Sequence, residues 1–573
     1  MLRLFPCRLP PVGLVFSQGF ISVAQSLGGP LTRPGNRALP ALVATTSTAQ
    51  EAAASAKIVR TYSAADVAQT RLRPGLSTWV PLLLIVALGG FLRLWHLNAV
   101  GFNSDEVVYS GQAASIASDP QLTPFFPIFR AHPLLFQSIL SIGYHFGFDP
   151  VFGRILAAAF GVATIILIYL IGRLLYGPKA GLMASFFLAL MPYHVVVSRQ
   201  VLLDGPMTFF ATLALYLVAR YATSARAQWI LAAGAAVGLA FLSKEVGIVM
   251  FGALYTFFAL APEVAVRIRI LLLSLAVSVL VILPYPLSLL FAGKSGTGGQ
   301  YLAWQLFRRP NHGLAFYPST LSVALGPALI VVAMAGLWLL RGGYSWRETL
   351  LLSWIVVPLL FFELYPVKGY QYPLPIAPAV VLLGARAVLS LSAALALYRP
   401  RLGLPVRLAT PALALAIGIS LFIPSWSRIE PSHAGTFLAG TGGVPGGRET
   451  GEWIARNVPE GAVLMTIGPS MANIVEFYGH RQAYGLSVSP NPLNRNPSYQ
   501  PVPNPDLSIR HNDLQYLVWD TFSAARSPFF SGHILRYVDR YHGRAVHTET
   551  VPATTPSGKP VRKPIIIVYE VRP

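Results

Sequence analysis

Residues 77–97 read STWVPLLLIVALGGFLRLWHL, and shortly after them residues 101–116 read GFNSDEVVYSGQAASI. The first stretch is apolar over the roughly twenty residues that a helix needs to cross the hydrocarbon core of a bilayer. The second places Asp105 beside Glu106 at the mouth of that span. Two acids side by side at such a point either cap a helix or do chemistry, and the rest of the sequence bears on which.

The 573 residues are 54% hydrophobic and 11% charged, with a mean hydropathy of +0.56. Soluble domains carry about 25% charged residues, so the chain reads as a polytopic membrane protein. The net charge of +21 invites a nucleic-acid partner. That reading fails, because the basic residues are scattered in pairs between apolar runs, as in the cytoplasmic loops of a membrane protein. A single cysteine, Cys7, leaves no internal disulfide. Residues 1–75 are rich in Pro, Ala, Ser and Thr. They read as a disordered tail or a leader-like extension outside the fold.

About eleven spans follow from apolar runs and loop charge, near 78–98, 154–175, 180–198, 204–222, 228–243, 246–262, 268–291, 319–340, 347–364, 372–392 and 406–424. With the N-terminus in the cytoplasm, each cytoplasmic loop holds a basic pair, such as Arg173 with Lys179 or Arg267 with Arg269. Arg308–Arg309 is the exception. HPLLFQSILSIGYHFG, residues 132–147, is too short to span and reads as an interfacial or re-entrant helix in the outer loop 99–150. Residues 76–428 thus form the membrane domain and 429–448 a Gly-rich linker. Residues 449–573 form a small extracytoplasmic α/β domain, with a helix, turn and strand from Glu449, strands at LQYLVWD and KPIIIVYEV, and a helix near FFSGHILRYVDRY.

This topology gathers Asp105, Glu106, His132, Arg199, Asp204, Lys244, Glu245 and Lys368 at outer ends of spans or in outer loops. Ionisable residues at such depth are functional by default. Asn103 with Glu106 three residues on also fits a capping pattern. Arg199 and Asp204 can equally be a local ion pair, and so can Lys244 and Glu245. Lys368, in YPVKGYQY with Tyr370, can be an interfacial anchor or a phosphate ligand. His132 can bind a phosphate, a metal or nothing.

In order along the chain, NSDEVVYSG, AHPLLFQSIL, SRQVLLDGPMTFFATLALYL, FLSKEVGIVM and VKGYQYPLPIAPAVVLLGA resemble the GT-C membrane glycosyltransferases. Within them the likeness is to the family-39 protein mannosyltransferases and the bacterial relatives that decorate lipid A. The resemblance covers roughly 80–570. It departs from the usual pattern at His132-Pro133-Leu134, where a second proline is common, and at Ser243-Lys244-Glu245, where Thr-Lys-Gly is usual. It implies a mainly α, GT-C membrane fold and an inverting transfer of a mannose-like sugar. The donor would be a polyprenyl-phosphate sugar and the acceptor a hydroxyl on a protein or glycolipid, outside the plasma membrane.

That chemistry needs a base for the incoming hydroxyl and cations for the leaving phosphate. Asp105 is the candidate base, with Glu106 orienting the acceptor or assisting a divalent metal. His132, Arg199, Asp204, Lys244, Lys368 and Tyr370 are candidates for the donor phosphate and substrate. The competing reading is a transporter or flippase of polyprenyl-linked glycans. It calls for midplane charges on broken helices and repeated halves, and neither is evident in the sequence. A sugar-binding receptor, the third reading, leaves the charges on the spans unexplained.

Overall fold

Each of the eleven apolar segments forms helix in the computed structural model, which describes residues 76–339, 344–397, 406–430, 444–502, 504–554 and 558–573. Residues 1–75 and most of the 429–448 linker lie outside the described residues.

The first segment is the helix Leu76–Leu94. The longest is Phe152–Tyr176, 25 residues, which turns at Gly177 into Pro178–Leu190. These two helices meet through glycines. A Cβ on Gly172 would stand 2.6 Å from the Cα of Gly181, a distance only hydrogen tolerates, so larger residues would force them apart.

By length and composition, four helical stretches among the described residues suffice to cross a membrane: Phe152–Tyr176, Ile268–Phe291, Leu374–Ser392 and Leu408–Ile429. Other apolar helices, such as Ala227–Ser243, are shorter. Ile268–Phe291 shows why a bilayer is required. Ile268, Leu272, Leu273, Val279 and Leu280 are exposed along it, an apolar stripe that water would not tolerate but lipid favours.

Two expected spans are not continuous. Residues 319–340 form Phe316–Ala324 and Pro327–Leu339, bent by 99°, because Gly326 takes φ +90° and Pro327 starts a new helix. Residues 180–198 divide at Met191, whose backbone is extended ahead of Pro192. The short apolar stretch after His132 forms only Leu135–His145. Its 11 residues rise about 16 Å, half the bilayer core.

Towards the C-terminus lies a five-stranded sheet of order β2-β1-β3-β5-β4. β1 (Val463–Thr466) pairs in parallel with β2 (Gln482–Gly485) and β3 (Tyr516–Asp520), while β5 (Pro560–Glu570) runs antiparallel to both β3 and β4 (Arg544–Thr554). Pro469–Gly479 is the crossover helix between β1 and β2. The opening helix, β1, β3, β5 and the helix Pro528–Arg540 stand where the sequence placed them. The crossover helix and β2 were not foreseen, nor was β4. The crossover helix packs on Ser104–Ile116, the helix of the acidic pair.

Candidate active site

The acidic pair begins a helix, and the two acids face different ways. The Asn103 side chain accepts from the backbone N–H groups of Asp105 (2.9 Å) and Glu106 (3.0 Å), while Glu106 accepts from Asn103 N–H (3.0 Å). This is a complete capping box. Glu106 is 1% exposed. Its Oε1 accepts from Arg154 Nε (2.7 Å) and Val201 N–H (3.0 Å), and its Oε2 also accepts from Arg154 Nη2 (2.8 Å).

With four donors on its two oxygens, Glu106 is committed to the scaffold. It caps the helix, as the Asn103–Glu106 spacing predicts, and pairs with Arg154. Arg154 also donates to the carbonyls of Leu97 (2.8 Å), Val100 (2.7 Å) and Gly101 (3.1 Å). It thereby ties the chain after the first helix to the acidic pair. A charge near the start of an apolar run was the signal that could have revealed it.

Asp105 is partly exposed. Tyr109 follows one turn later, on the same helix face. Burial pushes the Tyr109 phenol well above its ordinary range, and the Asp105 charge adds to the rise. Tyr301, Tyr372 and Tyr499 also lie within electrostatic reach of Asp105.

Around these phenols stand two ion pairs that the sequence paired differently. Lys244 Nζ reaches both oxygens of Asp204 at 2.9 Å, and Lys244 and Asp204 are 2% and 1% exposed. Glu245 Oε2 meets His132 Nδ1 at 2.7 Å. The expected neighbour pair, Lys244 with Glu245, does not form. The helix ends at Ser243 and Lys244 is extended (φ −158°, ψ 131°), which sends successive side chains to opposite sides. Lys244 also lies 4.1 Å from the Tyr372 ring centroid, and Tyr301 OH is 3.3 Å from His132 Nε2.

Arg199 does not pair with Asp204 either. Its Nη1 donates to Leu92 O (2.7 Å) and its Nη2 to Trp95 O (2.6 Å). A cation there suits the carbonyl end of the first helix.

Lys368 sits in an adjoining layer. Its ammonium binds the main-chain carbonyl of Glu363 and lies 3.1 Å from that residue's carboxylate. Asn311 clasps its backbone, accepting from Lys368 N–H (2.8 Å) and donating to its carbonyl (2.9 Å). The Tyr370 ring packs edge-on to Tyr193 at 5.0 Å, and its buried hydroxyl has no hydrogen-bond partner among the described residues. Buried donors are normally satisfied, so this phenol is open to an acceptor atom.

One cluster therefore joins Asp105, Tyr109, His132, Glu245, Lys244, Asp204, Tyr301 and Tyr372. Lys368 and Tyr370 form a second layer beside it, and Glu106 and Arg199 lie behind in the scaffold. Sequence reasoning missed the tyrosines of the first layer and Glu363. Tyr109, at i+4 from Asp105, was recoverable from spacing. Among the described residues no three His, Cys, Asp or Glu side chains are grouped as a metal-ligand set.

Comparison with known proteins bears on this arrangement. Residues 131–287 match the family model described as dolichyl-phosphate-mannose-protein mannosyltransferase. YkcB of Bacillus subtilis (strain 168), a mannosyltransferase by assignment, is 29% identical over 203 residues, 33% of this chain and 27% of that protein. Dolichyl-phosphate-mannose–protein mannosyltransferase 1 of Candida albicans (strain SC5314 / ATCC MYA-2876) is 29% identical over 262 residues, 39% of this chain and 29% of that protein. These alignments span less than a third of either relative's length.

Among solved structures, apo ArnT from Cupriavidus metallidurans superposes with a TM-score of 0.63 at 15% identity, over 86% of this chain and 98% of that one. Its complex with undecaprenyl phosphate gives a TM-score of 0.59 at 15% identity, over 87% and 98% of the two chains. At such identity the shared object is the fold. The chain thus has the overall fold of ArnT, and its residues 131–287 are similar to the dolichyl-phosphate-mannose-protein mannosyltransferase family.

Proposed function

We propose that the chain is an integral-membrane glycosyltransferase that moves a mannose-like sugar from a polyprenyl-phosphate donor to a hydroxyl of a protein or glycolipid acceptor. The end of the bundle beside the sheet faces the extracytoplasmic side in this reading, supported by the loop-charge pattern. The observation that carries the proposal is the division of labour at residues 105 and 106. Glu106 is locked in the scaffold, while Asp105, partly exposed one residue before it, lies within electrostatic reach of a cluster of phenols. The ArnT complex with undecaprenyl phosphate and the mannosyltransferase match support the donor class.

In this mechanism the acceptor oxygen attacks C1 of the donor sugar while Asp105 removes its proton. The bond between C1 and the phosphate oxygen breaks, and its electron pair leaves on the polyprenyl phosphate. Attack opposite the leaving group inverts C1. Lys368 and the unpartnered phenol of Tyr370 are the donors assigned to the departing phosphate, by charge-assisted hydrogen bonding. Lys244, neutralised by Asp204, holds the shape of the site rather than the phosphate.

The test uses the purified full-length protein in detergent with radiolabelled polyprenyl-phosphate mannose, a synthetic Ser/Thr-rich decapeptide and octyl glucoside. Label transferred to either probe, with stoichiometric release of polyprenyl phosphate, is the expected result. Donor transported intact across proteoliposomes with no label transferred would overturn the proposal in favour of a transporter.

A further inference from the structure

Four phenols lie within the electrostatic reach of Asp105 and come from four places in the chain. Tyr109 is on its own helix, Tyr301 is on the helix Gly296–Phe307, and Tyr372 is in the loop before Ala377–Leu397. Tyr499 alone of the four comes from the sheet-bearing domain.

A chain of contacts holds Tyr499 there. The Arg130 guanidinium stands 5.3 Å from its ring centroid, and Ser498 Oγ donates to Arg130 O at 2.8 Å. Arg130 Nη2 donates to Asn473 Oδ1 (3.1 Å), and Asn473 Nδ2 donates to Ser104 Oγ (3.0 Å). Ser104 immediately precedes Asp105, and His132 follows Arg130 by two residues. Asn473, 2% exposed, therefore knots three segments together: the start of the Asp105 helix, the loop leading to His132, and the loop that carries Tyr499.

The Tyr499 side chain keeps some exposure. Burial pushes its phenol up. Arg130 opposes the rise, the Asp105 charge adds to it, and the Asn473 side chain opposes it.

The two substrates of the transfer approach from different directions. A polyprenyl chain keeps the donor in lipid, so its sugar arrives from the bilayer side. The acceptor must enter where the donor does not. A side chain held from the sheet-bearing domain against the start of the Asp105 helix, through Arg130, Asn473 and Ser104, therefore stands on the acceptor's path. A phenol suits that position, with an apolar face for a sugar ring or side chain and a hydroxyl that both donates and accepts.

We propose that Tyr499 is an acceptor-specificity residue, held by Arg130 and Asn473 as positioning residues, so that the C-terminal domain supplies the wall against which the accepting hydroxyl is presented to Asp105. This rests on the transferase reading above.

The experiment compares the full-length parent with Tyr499→Ala, Tyr499→Phe, Asn473→Ala and Ile534→Ala, using polyprenyl-phosphate mannose, the decapeptide and octyl glucoside. Tyr499→Ala raises the acceptor KM about tenfold, the scale of a lost aromatic and hydrogen-bonding contact, and leaves the donor KM within about twofold. Tyr499→Phe loses only the hydroxyl and shifts less. Asn473→Ala shifts the acceptor KM in the same direction. Ile534→Ala opens a cavity in the domain's own core, lowers Tm and leaves both KM values in place. An unchanged acceptor KM, or donor and acceptor KM values rising together, overturns the proposal.

Hydrogen exchange over residues 495–500 gives a readout independent of turnover. Protection by an acceptor probe, and none by polyprenyl phosphate, supports the assignment. Protection by polyprenyl phosphate alone, or by neither, overturns it. If a probe protects this loop in a parent that transfers no sugar, the transferase reading fails while the acceptor wall stands.

Discussion

Glu106 and Arg154 form a two-point ion pair, 2.7 and 2.8 Å, with side chains 1% and 4% exposed. It anchors the helix that presents Asp105. Removing one partner of a buried pair leaves the other charge uncompensated, which costs about 3–5 kcal/mol. Glu106→Gln can still cap the helix, but it strands the Arg154 charge. The expected outcome is a marked fall in Tm with donor affinity in the surviving folded fraction unchanged. Full stability together with abolished transfer would instead place Glu106 in the chemistry.

The Lys244–Asp204 pair makes a second prediction. Lys244→Met strands Asp204 and destabilises by about 3–5 kcal/mol, whereas Lys244→Met with Asp204→Leu recovers most of that loss. The pair neutralises itself, so the double variant keeps its donor KM. A folded double variant with greatly weakened donor binding would return Lys244 to the phosphate site.

Glu476 gives a pH dependence. Burial raises its carboxyl from the ordinary value near 4.5 to about 7, against the opposing influence of Arg130 and the Ala483 N–H. The folded protein therefore binds this proton more tightly than the unfolded chain does. Stability is greatest below about pH 4.5 as far as this group is concerned, falls as pH rises to about 7, and is level above that. The full excursion is roughly 3 kcal/mol. Thermal unfolding between pH 5 and 8 should show the decline, and Glu476→Gln should flatten it and raise Tm at pH 8. A slope unchanged in Glu476→Gln would assign the effect to another group.

The helical part of the fold was legible because apolar runs declare themselves by length. The bend at Gly326-Pro327 carried a breaker signal, yet the run around it was apolar enough to read as one span. β2, Gln-Ala-Tyr-Gly, has no apolar run to mark it, whereas β1, equally short, is Val-Leu-Met-Thr. At the site, the Asn103–Glu106 cap could be read from a spacing of three. The partner of Glu106, forty-eight residues away, could not. Lys244 and Glu245 misled for a local reason, since adjacency in sequence implies a pair only where the backbone keeps both side chains on one side.

The direction of insertion proposed above rests on the basic pairs in alternate loops. A periplasmic or lumenal reporter fused after Pro573 should be active there, and the same fusion to a cytoplasmic reporter should be silent. The reverse pattern would move the whole Asp105 cluster to the cytoplasmic face and remove the argument for a lipid-linked donor presented outside.

Asp105 carries the last prediction. Its neighbour Glu106 fixes the helix start, and Asn103 holds the backbone N–H groups of both residues. Asp105→Asn therefore preserves volume and cap, and removes the group that can take a proton. Loss of a positioned base lowers the rate by about a hundred- to ten-thousand-fold. Transfer from radiolabelled polyprenyl-phosphate mannose should collapse in kcat, while donor binding, measured in parallel by displacement of polyprenyl phosphate, stays near the parent value. Turnover within about tenfold of the parent is too small a loss for a missing base and would send the search to the other carboxylates of the cluster, Glu245 beside His132 first.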